Sequence, residues 1–330
     1  MEVEEKAARL LQINALGPLL SLKQLTGGRN NSVYLLSTPA HSLVLKLLFH
    51  NECDPRDRFT AETSFYAHCK ALNIRSVPKL FAASHEEKML LLDFVDGRKL
   101  KASTISEISV TKAINFVIEI NSKPVSKSII PTASESGFSI KDHIEMIEIR
   151  LARLEEFVVT NEAACDFIHT KLRPLWNQLI RPIKRHRIYS SGQMERCISP
   201  SDFGFHNSLV RPNGDFVFYD FEYAGWDDPA KLICDFFCQI EIPVPHTFFG
   251  FVIERLNSLA INKNDFAERT KLLLPALKIK WCCILLNEFL PSEQKRRRFA
   301  KQPNTPQRST TQLWKANGVL GDAAELAEIQ

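Results

Sequence analysis

The stretch Ile198-Ser-Pro-Ser-Asp-Phe-Gly-Phe-His-Asn-Ser-Leu-Val-Arg-Pro-Asn-Gly-Asp-Phe-Val-Phe-Tyr-Asp-Phe-Glu-Tyr223 decides how this chain is read. Asp202 and Asn207 stand five positions apart in a polar loop, which runs into apolar residues on both sides of the turn Asn213-Gly214-Asp215. A turn of that composition between two apolar runs signals a β-hairpin. The second run, 216–219, ends at Asp220, so the hairpin returns a carboxylate to the loop that holds Asp202 and Asn207. Three oxygen-bearing side chains thereby converge. Asp202 suits the removal of a proton from a hydroxyl, while Asn207 and Asp220 suit Mg²⁺, a hard cation that accompanies nucleoside triphosphates. Taken singly, each of these acids would read as a capped turn.

The pattern Asp-x-x-x-x-Asn followed by an Asp at the end of the next hairpin resembles the catalytic loop and metal-binding Asp of the protein-kinase-like phosphotransferases. Asp220-Phe221-Glu222-Tyr223-Ala224-Gly225 is most similar to the aminoglycoside phosphotransferase and choline/ethanolamine kinase branch. The resemblance implies an α+β, two-lobed fold. Residues 1–94 would form a nucleotide-binding lobe around a five-stranded antiparallel sheet, and residues 95–330 a larger, mainly helical lobe for catalysis and acceptor binding. It further implies ATP and Mg²⁺ as cofactors and transfer of the γ-phosphoryl group to a hydroxyl of a small metabolite, with amino sugars, amino alcohols and sugars all open as acceptors. Two positions depart from the family. Pro200 stands where most relatives have a histidine, and Leu232 stands where most have an aspartate that braces the catalytic loop. His206 and Asp235 are the candidates to replace them.

Upstream of the motif, the runs 19–25, 32–37 and 42–49 read as antiparallel strands separated by turn residues. Between the first two lies Thr26-Gly27-Gly28-Arg29-Asn30-Asn31-Ser32, whose backbone amides can cover phosphates. By itself that loop reads equally as a plain hairpin turn. The third run carries Lys46 among apolar neighbours, and a buried ammonium needs an anionic partner. The family resemblance makes Lys46 the phosphate-binding lysine and Glu62, on the helix expected over 56–72, its partner. On the residues alone, an exposed edge-strand lysine and a solvated glutamate are the alternative. Two more strands, 77–82 and 88–94, complete the lobe, and Asp93, Phe94 and Val95 are placed by resemblance at the hinge where backbone groups meet adenine.

The pattern around the lobe is helical. Apolar spacing predicts a helix at 4–16, others at 106–120, 141–157 and 161–179, the last bent or divided by Pro174, and one from Ala230 to Ile240 capped by Asp228. A helical pair is expected over 243–261 and 266–290; its second member resembles the late helices that line the acceptor pocket in the family, with Trp281 and Glu288 on one face, while read singly the two are a packed aromatic and a solvated acid.

Composition excludes little else. The 330 residues are 45% hydrophobic and 24% charged, with a net charge of +4, as expected for a globular chain of two lobes. No apolar run is long enough to span a bilayer and the acidic start is unlike a signal peptide, so a cytoplasmic location is expected. The eight cysteines are scattered without a Cys-x-x-Cys pair and read as buried thiols. The basic cluster Lys295 to Arg298 lacks interleaved aromatics, so nucleic acid is not expected as a partner. A non-catalytic nucleotide-binding scaffold, motivated by Pro200 and Leu232, is the rival to a kinase.

Overall fold

The computed structural model describes residues 2–25, 31–51, 54–123, 130–189, 195–260, 263–291, 299 and 306–329. Strands β1 (Ser21–Gln24), β2 (Ser32–Ser37), β3 (Ser42–Leu47), β4 (Leu80–Ser84) and β5 (Met89–Asp93) form one antiparallel sheet in the order β1-β2-β3-β5-β4. Strand alternation sorts its side chains. Leu43 and Leu45 of β3 face helix α1 (Glu2–Ile13), in a cluster with Ala7, Leu10, Leu11 and Leu91. Val44 and Lys46 therefore face the other side, toward helix α2 (Arg58–Ala71), whose Phe65, Tyr66 and Cys69 pack with Leu90 and Leu92. Strand β3 is central, with Lys46 opposite Val33 on one side and Leu90 on the other. The alternative of an exposed edge-strand lysine is thereby corrected.

The second lobe is built on helices α3 (Glu107–Ile120), α4 (Ile140–Phe157), α5 (Glu162–Phe167) and α6 (Arg173–Arg185). Ser106, Ser139 and Asn161 cap the first three with their side-chain oxygens. Pro174 does not divide the helix. A π-helical turn over Ile168–Leu172 joins α5 to α6 just ahead of it, and the wider turn makes room for a ring that would clash with the preceding carbonyl.

Strands β6 (Cys197–Ser199) and β9 (Gly225–Asp227) pair, as do β7 (Ser208–Val210) and β8 (Phe216–Phe218), the expected hairpin. Helix α7 (Pro229–Cys238) follows with Asp228 as its cap, the carboxylate accepting from the Ala230 amide at 2.9 Å. Helices α8 (Phe249–Leu256) and α9 (Lys263–Leu286) follow, α8 beginning beyond Pro243 and Pro245. A last helix, α10 (Pro306–Ile329), lies along α9 with Ala316, Val319, Leu320 and Ala323 buried in one stripe.

The lobes meet at Phe221. Its ring lies 4.3 Å from Phe65 and 5.3 Å from Tyr66 of α2, and 6.4 Å from Phe116 of α3. Among the described residues the cysteines are all free, and no helix is long and apolar enough to cross a membrane.

Candidate active site

A cleft of about 680 Å³ runs between the sheet and the helical lobe. Lys46 projects into it from β3 and is only 6% exposed. Its ammonium donates to both oxygens of Glu62, at 2.8 and 2.7 Å, and to Asp220 Oδ1 at 2.5 Å. Burial disfavours that charge, yet Asp220, Glu62 and Glu222 outweigh it and raise the Lys46 pKa above the usual lysine range. Around one ammonium stand three carboxylates, Glu62 and Glu222 buried and Asp220 partly exposed toward the cleft. Burial and the neighbouring Glu222 push Asp220 above the ordinary carboxylate value in spite of Lys46. A cluster with that surplus of negative charge has room for a cation.

Opposite lies the loop between β6 and β7. Ser201 has φ +65° and Asp220 φ +70°, so both ends of the motif hold left-handed backbone that few non-glycine residues adopt. The Asn207 amide nitrogen donates to the Asp202 carbonyl at 3.0 Å and to its carboxylate at 3.3 Å, which directs the side-chain oxygen of Asn207 elsewhere. The Tyr219 amide donates to the Asn207 carbonyl at 3.0 Å, tying the loop to the strand that presents Asp220.

Asp202 Oδ1 accepts from Gln239 Nε2 at 3.0 Å and faces His206 Nε2 at 3.2 Å. Gly204 permits this clamp, since a Cβ there would stand 2.7 Å from Gln239 Cγ and 2.8 Å from His206 Nδ1. Burial alone would raise Asp202, but His206 and Gln239 hold its carboxyl below the ordinary value.

The remaining expected residues divide. Asp93, Phe94 and Val95 line the cleft where Leu25, Val33, Val44 and Leu209 make it apolar. Asn31 also lines it, donating to Glu222 at 2.9 Å and accepting from the Phe49 amide at 3.0 Å. Ser32 does not line the cleft, because its hydroxyl donates to the Phe299 carbonyl at 2.9 Å. Gly27 and Gly28, and the basic cluster 295–298, lie outside the described residues.

Asp235 does not stand in for the missing brace. Its carboxylate takes Lys280 at 2.5 Å, Lys231 at 3.1 Å and the Trp281 indole at 2.8 Å, while Leu232 is packed in the core. Sequence reasoning did not find Gln239, because a glutamine at the end of a helix has no local pattern to mark it. It also did not find Arg150, Gln312 or Lys315, which line the same cleft from α4 and α10.

Among the described residues no group of three or more His, Cys, Asp or Glu side chains is arranged to hold a metal. Asn207 and Asp220 nevertheless offer one amide and one carboxylate oxygen, a donor set that fits Mg²⁺, since Mg²⁺ keeps waters and substrate phosphates as its other ligands.

A model described as the phosphotransferase enzyme family matches residues 21–256. The chain belongs to that family. No curated protein sequence matches this phosphotransferase. Solved structures do. A choline kinase, LicA, from Streptococcus pneumoniae is similar to this phosphotransferase with a TM-score of 0.59 at 14% identity, covering 98% of this chain and 100% of that one. A choline/ethanolamine kinase family protein from Mesorhizobium loti gives 0.61 at 13% identity, covering both chains in full at 100%. A spectinomycin phosphotransferase in complex with ADP and spectinomycin gives 0.60 at 12% identity, over 95% of this chain and 98% of that one. At these identities the likeness establishes the two-lobed kinase-like fold of this phosphotransferase.

Proposed function

We propose that this phosphotransferase moves the γ-phosphoryl group of ATP to a hydroxyl of a small metabolite. The observation that carries the proposal is the convergence, across one cleft, of the Lys46–Glu62–Asp220 cluster with an Asp202 carboxylate clamped by Gln239 and His206. Adenine would lie in the apolar end against the backbone of Asp93 to Val95, with Lys46 on the phosphates and Glu62 holding Lys46 in place. Asn207 and Asp220 would hold Mg²⁺, which when bound neutralises charge on the phosphates. Asp202 would orient the acceptor hydroxyl and take its proton as the oxygen bonds to the γ-phosphorus. The bond from that phosphorus to the bridging oxygen breaks, and ADP departs. Because Asp202 lies below the ordinary carboxylate range, it is ionised at neutral pH and able to accept. Positioning and electrostatics supply most of the acceleration in such transfers, which is why the carboxylate needs a clamp.

The rival of a non-catalytic nucleotide scaffold drew on Pro200 and Leu232. Gln239, just past the end of α7, and His206, in the loop itself, supply hydrogen bonds that those two residues lack, and this favours the kinase. The choline, ethanolamine and spectinomycin enzymes among the similar structures put a hydroxyl-bearing small molecule forward as acceptor. The test is Mg²⁺-dependent ATP consumption against a panel of amino alcohols, aminoglycosides, sugars and hydroxy acids, with Asp202→Ala as control. Turnover lost in the control while Mg-ATP still binds supports the reading. Equal turnover in the variant removes Asp202 from the chemistry.

A further inference from the structure

We propose that the acceptor carries an anionic group, a carboxylate or a phosphate, beside the hydroxyl that receives the phosphoryl group. This inference rests on the kinase reading above and names its substrate class.

Beyond Asp202 the cleft is walled by α4, α7, α9 and α10. Three carboxylates stand there, Glu135, Asp235 and Glu288, and each already faces a cation. Glu135 is bound by Arg150, and Glu288 accepts from Arg308 at 3.1 Å. Asp235 is the most committed, since Oδ1 takes Lys280 at 2.5 Å and Trp281 at 2.8 Å while Oδ2 takes Lys231 at 3.1 Å. A cationic acceptor would need a carboxylate with spare capacity or an open aromatic cage. Glu241, a further acid that lines the cleft, stands within electrostatic reach of Lys99.

Donors, in contrast, are in surplus. Lys280 is 3% exposed, and of the three N–H bonds on its ammonium the described residues accept one. Lys315 lines the cleft from α10 and makes no ion pair among the described residues. One turn before it, Gln312 is 9% exposed and its amide makes no hydrogen bond among the described residues. Arg150 gives one of its five N–H groups to Glu135, and burial with the like charges of Arg56 and Arg153 holds it below its ordinary value. Buried donors without acceptors are costly, and an anion with several oxygens satisfies such a set. Transfer then leaves a product with two anionic groups, the one it brought and the phosphate it gained.

The full chain is saturated with Mg-ADP, and its Tm is followed at constant ionic strength with glycerate, glycerol 3-phosphate or choline against a KCl baseline. Glycerate or glycerol phosphate at ten times its Kd is expected to raise Tm by roughly 2–4 °C, with choline giving no shift. Which of the two anions has the lower Kd separates a carboxylate from a phosphate. In Lys315→Glu the Kd for the anion should rise about tenfold, and in Lys315→Gln by less. A choline shift as large as the anion's, no anion shift above chloride, or a Lys315→Glu variant that responds as the unaltered chain would overturn the proposal. Stabilisation by Mg-ADP alone reports nucleotide binding, and Mg²⁺-dependent ATP consumption lost in Asp202→Ala reports the kinase reading, so the two can fail independently.

Discussion

Replacing Glu62 by Gln tests the centre of the argument. The side chain keeps its shape but loses its charge, and its new amide nitrogen presents hydrogens to an ammonium that has no use for them. In the structure Lys46 donates to Glu62 at 2.8 and 2.7 Å and to Asp220 at 2.5 Å, so two of its three contacts are altered. Breaking a buried ion pair by removing one partner costs about 3–5 kcal/mol. Asp220 remains to receive the ammonium, which places the expected loss near the lower end, about 3 kcal/mol. Lys46 should then settle on Asp220 and occupy an oxygen proposed for Mg²⁺. One charge-assisted hydrogen bond lost from the transition state is worth about 1.5–3 kcal/mol, so kcat/KM should fall by about 10- to 100-fold. Urea unfolding gives the first quantity from the midpoint at constant slope, and steady-state ATP turnover gives the second. If stability falls while kcat/KM holds within twofold, the pair is structural only. If neither changes, Lys46 on its central strand has no need of Glu62 as a counter-charge.

Gln239→Leu removes one hydrogen bond to the partly exposed Asp202 carboxylate and should lower kcat by about tenfold with little change in the KM for ATP; a rise in that KM at constant kcat would contradict a role in positioning Asp202. Phe221→Ala empties the contact between lobes and should cost about 3–5 kcal/mol in denaturant unfolding, and a loss under about 1 kcal/mol would show that the ring does not join them. Asp54 is held down to about 2, since Arg56 and Arg58 outweigh the effect of its burial. A depressed folded pKa contributes stability that is full above the ordinary value and disappears as pH falls through about 2. Asp54→Asn should therefore cost roughly 1 kcal/mol at pH 7 after screening, with the two proteins converging between about pH 4 and 2. A difference that persists at pH 2 would remove the ion pair as its cause.

The parts of the site that were legible in the sequence are those whose geometry is local. A hairpin turn brings Asp220 to Asn207 without reference to the rest of the chain, and strand alternation places Lys46 opposite the α1 face. Glu62 required the family resemblance, because the sixteen positions that separate it from Lys46 cross two elements. Gln239 and Asp235 differ in kind. One lies in α7 and the other just past its end, their partners come from far along the chain, and an acid expected to brace the loop is drawn instead to Lys280, forty-five positions away. Helix α10 is a different case again. Its stripe of Ala316, Val319, Leu320 and Ala323 has helical spacing, but two alanines and the interrupting Gly318 and Gly321 make a weak apolar signal with poor intrinsic propensity. Contact with α9 decides it.

The placement of α10 separates the protein in time. A ribosome delivers Lys46, Glu62, Asp202 and Asp220 well before it reaches Arg308, Gln312 and Lys315, so the phosphate-handling centre can assemble while the far wall of the cleft is still being made. One side of the proposed acceptor wall is then written apart from the phosphate-handling residues, while Arg150 and Lys280 line the same cleft from earlier in the chain. A recombination that exchanged only the final helix would alter that one side and leave Lys46, Glu62, Asp202 and Asp220 as they were.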